Sequence, residues 1–181
     1  MLALKSPADH REAVALRVLL ISGSMGSGKT TVMAEASDIL AANRIAHAAI
    51  DVDELAIVHA PDVPDDLVYR NLAAVWGNSA SAGVDMLLLA YAVENQAVLN
   101  RVQETLPGAE FIVCRLRAPL QTMRQRVRLR EPGLLQEKFV ARVAELETLL
   151  DRAGVEDFAI DNADRSVTEV AREMLTRAGW L

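Results

Sequence analysis

Residues 23–30 read GSMGSGKT and fit the pattern G-x-x-x-x-G-K-[ST] at each fixed position. Glycines in such a loop let backbone N–H groups turn toward phosphate oxygens. The lysine, here Lys29, reaches the β and γ phosphates, and the hydroxyl of Thr30 ligates Mg²⁺. The alternative is an ordinary glycine-rich turn between a strand and a helix. We predict that nucleotide-binding residues include Gly23, Ser24, Met25, Gly26, Ser27, Gly28, Lys29, Thr30 and Thr31.

Two carboxylates, Asp51 and Asp53, follow the second predicted strand. Alternation along an extended chain would aim both side chains to the same side. One carboxylate could orient or deprotonate an acceptor hydroxyl, while the other holds Mg²⁺ or its waters. The alternative is that these acids cap the next helix, because Asp is a favoured N-cap residue. The nearby phosphate loop makes us favour the catalytic interpretation.

A basic segment spans residues 115–133, RLRAPLQTMRQRVRLREPG. Arg126 and Arg130 are four residues apart, as are Arg124 and Arg128, so the predicted helix carries two stripes of guanidinium groups. The helix breaks at a Pro-Gly pair, which indicates a hinged lid over about 124–138. Such a lid would bring positive charge to a transferring phosphoryl group and exclude water. A solvated helix face is the alternative, and Arg126 and Arg130 are the best candidates for a functional role.

Two further sites carry weaker signals. The third predicted strand, VDMLLLAYAV (84–93), has no carboxylate where a Walker B acid would follow four apolar residues. Glu94 is either an active-site acid beyond that strand or a first-turn residue of the next helix, where the helix dipole favours it. Asp161 and Asn162 follow the fifth strand, either in a loop near the adenine or in a plain turn.

Five short apolar segments alternate with helical patterns, which predicts one parallel sheet covered on both faces. Ligands of such sheets bind beyond the carboxyl ends of the strands. A polar leader with helical potential (1–15) comes first. The predicted strands are 17–21, 45–50, 84–93, 110–116 and 157–160, and the predicted helices are 29–43, one that begins near Pro64, 94–106, one from Pro119, 134–154 and 166–179.

The composition indicates one globular domain over 1–181. Hydrophobic residues make up 51% of the 181 residues, which is enough for a sizeable core. No apolar run approaches the roughly 18 residues of a membrane-spanning helix, so no membrane partner is predicted. The single cysteine, Cys114, leads us to expect a cytoplasmic protein. The net charge of −6 does not favour nucleic acid as a partner, and no feature fixes an oligomeric state.

The phosphate loop, the Asp-x-Asp after strand two, the R-x-x-x-R helix before the lid and the I-Asp-Asn loop after strand five together resemble the small P-loop kinases. That group includes shikimate kinase, gluconate kinase, adenylylsulfate kinase and chloramphenicol phosphotransferase. The resemblance extends from about residue 17 to 178. The phrases CRLRAPL and VEDF are also similar to bacterial ATP-binding proteins of unassigned function.

The resemblance implies a three-layer α/β fold with a five-stranded parallel sheet in the order 2-3-1-4-5, a small helical lid, ATP and Mg²⁺. In such kinases the second acid of Asp-x-Asp faces the acceptor, which matches Asp53, and the first lies near Mg²⁺, which matches Asp51. The lid arginine matches Arg126 or Arg130. Residues 54–64, ELAIVHAPDVP, carry no sugar- or shikimate-binding motif, so the acceptor is not identified.

We therefore predict an ATP-dependent phosphotransferase that moves the γ-phosphate to a hydroxyl of a small molecule. An alternative of a different class is a nucleotide-binding regulatory protein with little turnover, which the missing Walker B acid favours. A third is a kinase for nucleotides or nucleic-acid ends, against which the net charge argues. The predicted catalytic residues are Lys29, Asp51, Asp53, Arg126 and Arg130, the metal ligands Thr30 and Asp51, and the adenine-loop residues Asp161 and Asn162.

Overall fold

Strands and helices alternate along residues 15–181, the part of the chain that the computed structural model describes. Nearly all of the predicted leader (1–15) lies outside the described residues. No helix within 15–181 is both long and apolar enough to cross a bilayer. The elements are β1 Arg17–Ser22, α1 Lys29–Ala42, β2 Ala48–Asp51, a 3₁₀ helix Val52–Glu54, α2 Leu67–Ser81, β3 Met86–Ala90, α3 Gln96–Thr105, β4 Glu110–Arg117, α4 Leu120–Arg130, α5 Gln136–Ala153, β5 Phe158–Asp161 and α6 Val167–Arg177.

The five strands form one parallel sheet in the order β2-β3-β1-β4-β5, which confirms the predicted order. Strand β1 lies at the centre, with Ile21 in register with Ala90 of β3 on one side and Cys114 of β4 on the other. Both neighbours of β1 are apolar for most of their length, because a parallel strand inside a doubly covered sheet is buried on both faces. All five carboxyl ends therefore lie along the same edge.

Each face of the sheet has its own hydrophobic core. Alternate residues of β1 point to opposite faces, so Leu19 and Ile21 pack with α1 and α6, while Val18 and Leu20 pack toward α2 and α3. A third, smaller cluster joins α4 to α5; its buried members are Met123, Val127, Val140 and Val143. This third cluster positions the two helices that flank the predicted lid hinge.

Several predicted boundaries shift in the structure. Strand β2 begins at Ala48 rather than Ile45, because the chain before it turns and His47 bonds Ser37 and the carbonyl of Ile45. Helix α2 begins at Leu67 rather than near Pro64. The predicted capping box of α6, Ser166 with Glu169, is present.

Candidate active site

The phosphate loop joins β1 to α1 at the carboxyl edge of the sheet. Gly28 precedes the first turn of α1 with a φ of +99°, and Gly26 has a φ of +76°. Only glycine adopts this backbone region freely. The Nζ of Lys29 donates to the carbonyls of Gly23 (3.0 Å) and Ser24 (3.4 Å), so the side chain lies along the loop. The amino end of α1 adds its positive dipole to the same place, which suits a bound phosphate.

Three other elements hold this loop from outside. The hydroxyl of Ser24 donates to the carbonyl of Val143 in α5, at 3.1 Å. The amide of Asn162, after β5, donates to the carbonyl of Ser27. The guanidinium of Arg126, in α4, donates to the carbonyl of Gly26 at 3.2 Å. The loop conformation therefore depends on helices and strands far away in sequence.

Asp51 is the last residue of β2 and makes two contacts. One carboxylate oxygen accepts a hydrogen bond from the hydroxyl of Thr30 at 2.6 Å, and the other accepts from the backbone N–H of Asp53 at 3.1 Å. Asp53 itself lies in the 3₁₀ helix, so strand alternation does not aim the two carboxylates as we had predicted. The capping interpretation is correct for Asp51, and it is compatible with a place beside the phosphate loop.

Both carboxylates and the loop face one cavity of about 1240 Å³. Ligand sites commonly measure roughly 300 to 1,000 Å³, so this cavity has room for more than one small ligand. Of the predicted catalytic residues it contains Lys29, Asp51, Asp53 and Arg130. Its complete lining is Met25, Lys29, Thr30, Thr31, Asp51, Asp53, Glu54, Ile57, Ala92, Glu94, Arg130, Glu131, Lys138, Phe139, Ala141, Arg142, Glu145 and Leu146.

Lys29 and Asp53 both have shifted pKa values. Burial lowers the pKa of Lys29, and the attraction of Asp53 and Asp51 opposes this only in part. The carboxylate of Asp53 faces the open cavity, yet the protein atoms packed around it remove water and raise its pKa, against the attraction of Lys29. Lys29 therefore binds its proton less tightly than free lysine, and Asp53 binds its proton more tightly than free aspartate. Such shifts are common at active sites.

Glu94 lies at the cavity and is paired with Arg142 of α5. The Nη2 of Arg142 is 2.9 and 3.0 Å from the two carboxylate oxygens of Glu94, and its Nη1 is 2.5 Å from Glu145. Helix α3 has Asn95 as its N-cap, so Glu94 precedes the helix and is not a first-turn residue. Sequence reasoning missed Arg142, because an arginine on the polar face of an amphipathic helix carries no signal of its partner.

The predicted pair of lid arginines separates into two environments. Arg130 lines the large cavity and pairs with Glu131 at 3.0 Å. Arg126 instead lies 3.3 Å from the side-chain oxygen of Asn162 in a second cavity of about 200 Å³. Asp161 is the exposed last residue of β5 and lines neither cavity. The second cavity is lined by Gly28, Thr31, Val32, Arg126, Asn162, Arg165, Val167 and Val170.

A metal site made by protein side chains alone is not found in residues 15–181, where no three His, Cys, Asp or Glu side chains come together. Mg²⁺ bound with nucleotides usually takes only one or two protein ligands and completes its shell with phosphates and waters. Thr30 and Asp51 supply a hydroxyl and a carboxylate 2.6 Å apart beside the phosphate loop. These two residues therefore fit a magnesium ion that arrives with its nucleotide.

No family model matches the sequence, and no curated protein does either. Solved structures do match over almost the whole chain. A gluconokinase from Sinorhizobium meliloti 1021 is 21% identical with a TM-score of 0.58, and the match covers 90% of this chain and 91% of that one. Shikimate kinase from Acinetobacter baumannii, in complex with shikimate, is 20% identical with a TM-score of 0.60, over 90% and 92%.

The tunicamycin resistance protein of Deinococcus radiodurans is 20% identical with a TM-score of 0.66, over 92% of this chain and 97% of that one. At such identities the likeness concerns the backbone and leaves substrates open. The strand order and the position of the phosphate loop agree with the resemblance drawn from the sequence. The chain has the fold of the P-loop small-molecule kinases.

Proposed function

We propose that the protein transfers the γ-phosphate of ATP to a hydroxyl of a small molecule, with Mg²⁺. One observation carries the proposal: Lys29, Thr30, Asp51 and Asp53 come from two separate strand ends and face the same cavity. A plain glycine-rich turn would not need this convergence. Phosphoryl transfer does, because its catalysis consists mostly of positioning and charge stabilisation.

Lys29 and the loop amides bind the β and γ phosphates. Thr30 and Asp51 would hold Mg²⁺, which would supply positive charge to offset the negative charge of the phosphates. Arg130 lines the same cavity, and its guanidinium stabilises negative charge on the group in transfer. Together these residues cover the phosphate side of the reaction.

Asp53 receives the proton of the acceptor hydroxyl. The acceptor oxygen forms a bond to the γ-phosphorus, the bond from that phosphorus to the bridging β-phosphate oxygen breaks, and ADP leaves. The raised pKa of Asp53 makes it a better base than a free carboxylate. The positive charge of Lys29 lowers this pKa in part and so favours the ionised form that accepts a proton. Asp51 accepts hydrogen bonds from the hydroxyl of Thr30 and from the backbone N–H of Asp53, so it holds these two residues at a fixed separation.

We assign Arg126 and Asn162 to the nucleoside end of ATP rather than to the transferred phosphoryl group. Both line the smaller cavity on the other side of Gly28, next to the amino end of α1. A guanidinium plane is well suited to stack on a purine. Asp161 is exposed beyond this cavity, and we assign it no contact with the nucleotide.

The direct test measures ADP release with Mg-ATP and pooled alcohols. Acceptor-dependent release by the natural chain, and its loss in Lys29→Ala, are expected. Arg172→Ala is the matched control, because Arg172 is exposed on α6 and lines neither cavity. Full activity of Lys29→Ala would refute the mechanism.

A nucleotide-binding regulatory protein is the second candidate. The observation in its favour is that β3 ends in Ala90 without a carboxylate, while Glu94 beyond it is engaged by Arg142. The same experiment separates the two functions. Nucleotide binding without release of ADP in any acceptor pool would support the regulator.

A further inference from the structure

Asn162 is buried beside the phosphate loop, and both ends of its side-chain amide have protein partners. Its Nδ2 donates to the backbone carbonyl of Ser27, and its Oδ1 accepts from Nη1 of Arg126 at 3.3 Å. Arginine can only donate, so the contact with Arg126 identifies Oδ1 as the acceptor and leaves Nδ2 facing the loop. Only 6% of Asn162 is exposed. The side chain therefore forms a bridge between α4 and the loop.

The backbone of Asn162 is fixed as well. Its N–H donates to the carbonyl of Arg117, the last residue of β4, at 2.9 Å. This bond extends the pairing of β4 with β5, in which Arg117 is in register with Asp161. Because the sheet holds the backbone of Asn162, the side chain holds the loop at a defined distance from the sheet.

The close approach of Asn162 to Gly28 is a second, independent sign of this contact. A Cβ built on Gly28 would lie 2.9 Å from Nδ2 of Asn162, which is closer than side-chain carbons pack in proteins. Gly28 also has a φ of +99°, a conformation that glycine adopts freely. The absence of a side chain at this position is therefore what lets Asn162 reach the carbonyl of Ser27.

The bond to the Ser27 carbonyl determines where the next N–H points. The carbonyl of Ser27 and the N–H of Gly28 belong to one trans peptide unit, in which the two groups point in opposite directions. Since the carbonyl is held toward Asn162, the N–H of Gly28 points away from Asn162. This N–H donates to no backbone carbonyl within residues 15–181, so it is available to a ligand.

Arg126 fixes the preceding peptide unit in a similar way. Its Nη1 donates to the carbonyl of Gly26 at 3.2 Å. The N–H of the same unit belongs to Ser27 and donates within the loop to the carbonyl of Ser24 at 3.1 Å. Two consecutive peptide units thus have defined orientations, and fixed backbone N–H groups of this kind form anion-binding concavities.

We propose that Asn162 is a positioning residue for phosphate binding, which aims the N–H of Gly28 at the bound phosphates by holding the carbonyl of Ser27. The proposal rests on the nucleotide binding proposed above and adds a role to the place of Asn162 at the nucleoside end. The main effect of Asn162 falls on the phosphates, because a hydrogen bond to a charged oxygen is stronger than one to a neutral base.

The test compares two fragments of the nucleotide. Mg-tripolyphosphate has no nucleoside, and AMP has the nucleoside with a single phosphate. Isothermal titration calorimetry measures their dissociation constants with the full chain. Asn162→Ala should weaken tripolyphosphate about tenfold, the effect of misaligning one hydrogen bond to a charged group, and AMP only about twofold.

Asn43→Ala is the matched control. The Nδ2 of Asn43 also donates to a backbone carbonyl, that of Ile39, at 2.8 Å. Asn43 lies at the other end of α1 and lines neither cavity. Its substitution therefore removes the same kind of hydrogen bond and should leave both affinities unchanged.

NMR with isotope-labelled glycine reports on the N–H itself. In the natural chain, saturating Mg-tripolyphosphate should move the Gly28 amide proton downfield, while the signal of Gly77, which is exposed in α2, stays in place. Asn162→Asp keeps the shape of the side chain and its bond from Arg126 but has no donor for Ser27. The Gly28 shift should fall to about half or less in Asn162→Asp and Asn162→Ala, since hydrogen bonds weaken with misalignment.

The outcomes separate this role from the function on which it rests. A tripolyphosphate factor in Asn162→Ala that is no larger than the AMP factor overturns the positioning role and leaves nucleotide binding standing. So does a natural chain whose Gly28 signal does not move, and this readout needs no variant. A natural chain that binds neither Mg-ATP nor Mg-tripolyphosphate overturns the proposed function and the positioning role together.

Discussion

The hydroxyl of Thr30 donates a hydrogen bond to the carboxylate of Asp51 at 2.6 Å. These residues belong to α1 and to the end of β2, and the order β2-β3-β1 places a whole strand between them. The contact therefore passes over the carboxyl end of β3, where the sequence has no acid. The carboxylate next to the phosphate-loop threonine therefore comes from β2 and not from β3, which is compatible with the magnesium site proposed above.

Thr30→Val tests this contact, because valine keeps the shape of threonine and removes only the hydroxyl. If the pair holds Mg²⁺, the apparent affinity for Mg²⁺ in ADP release should fall by about tenfold or more. A magnesium titration at saturating ATP measures it. The control is Thr148→Val, whose exposed hydroxyl bonds only the carbonyl of Ala144 within α5. An unchanged magnesium requirement in Thr30→Val would remove Thr30 and Asp51 from the metal site.

Asp53→Asn separates catalysis from nucleotide binding. The variant should bind nucleotide with nearly natural affinity and lose acceptor-dependent ADP release by about a hundredfold or more, since it lacks the proposed general base. In the natural protein, release should rise with pH through the pKa of Asp53, which lies above that of a free aspartate. This acid limb should be absent from the residual activity of the variant. Natural activity in Asp53→Asn would return Asp53 to a structural role.

The same substitution should change stability in a predictable direction. A carboxyl with a raised pKa binds its proton more tightly in the folded than in the unfolded protein, so its contribution is greatest at low pH and is lost as pH rises through the folded pKa. At pH 7 the Asp53 carboxyl therefore contributes less to stability than it does at low pH. Asp53→Asn should melt at a higher temperature than the natural protein at pH 7, and the difference should shrink below pH 4. A lower melting temperature at pH 7 would contradict the raised pKa.

The strands and the phosphate loop could be predicted from local signals in the sequence, whereas the strand order was implied only by the resemblance to the small P-loop kinases. Short apolar runs between helical patterns define the strands, and the loop motif has fixed spacing. Contacts between side chains that are distant in the sequence have no such local signal. The Glu94–Arg142 pair joins residues 48 positions apart, and neither side chain is distinguished from other surface charges in the sequence.

The arginines of α4 show the same limit within one helix. Spacing correctly put Arg126 and Arg130 one turn apart, but it did not reveal that two different cavities lie beside them. Arg126 is drawn away by the carbonyl of Gly26 and by Asn162, which follows another strand. Contacts with chain segments distant in sequence decide such roles, and a single sequence does not contain them.

Arg115→Met should destabilise the protein strongly. Arg115 is 1% exposed on β4, and it pairs with Glu147 at 3.1 Å and Asp151 at 2.9 Å, both in α5. Removing Arg115 leaves the carboxylate of Glu147, whose side chain is only 16% exposed, without its partner, and breaking a buried pair in this way costs about 3 to 5 kcal/mol. Urea unfolding measures the loss. Arg117→Met is the control, because Arg117 is 45% exposed and its pair with Glu156 is worth about 1 kcal/mol or less.

A double variant distinguishes a lost ion pair from poor packing at this position. Arg115→Met with Glu147→Met removes both charges, so it should be more stable than Arg115→Met alone. If the double variant is the less stable of the two, packing rather than charge explains the loss.

Two glycine substitutions should have opposite effects. Gly26 has a φ of +76°, and a Cβ at this position would collide with the backbone of Met123 in α4. Left-handed backbone alone costs an alanine about 1 to 2 kcal/mol, and the collision adds to it. Gly77 lies within α2 with no atom within 4 Å of a new Cβ, so Gly77→Ala should stabilise by about 0.5 to 1 kcal/mol. Gly26→Ala should lower both the unfolding midpoint in urea and nucleotide affinity, because the strain falls on the phosphate loop. Equal midpoints for the two variants would contradict both the positive φ of Gly26 and its close contact with α4.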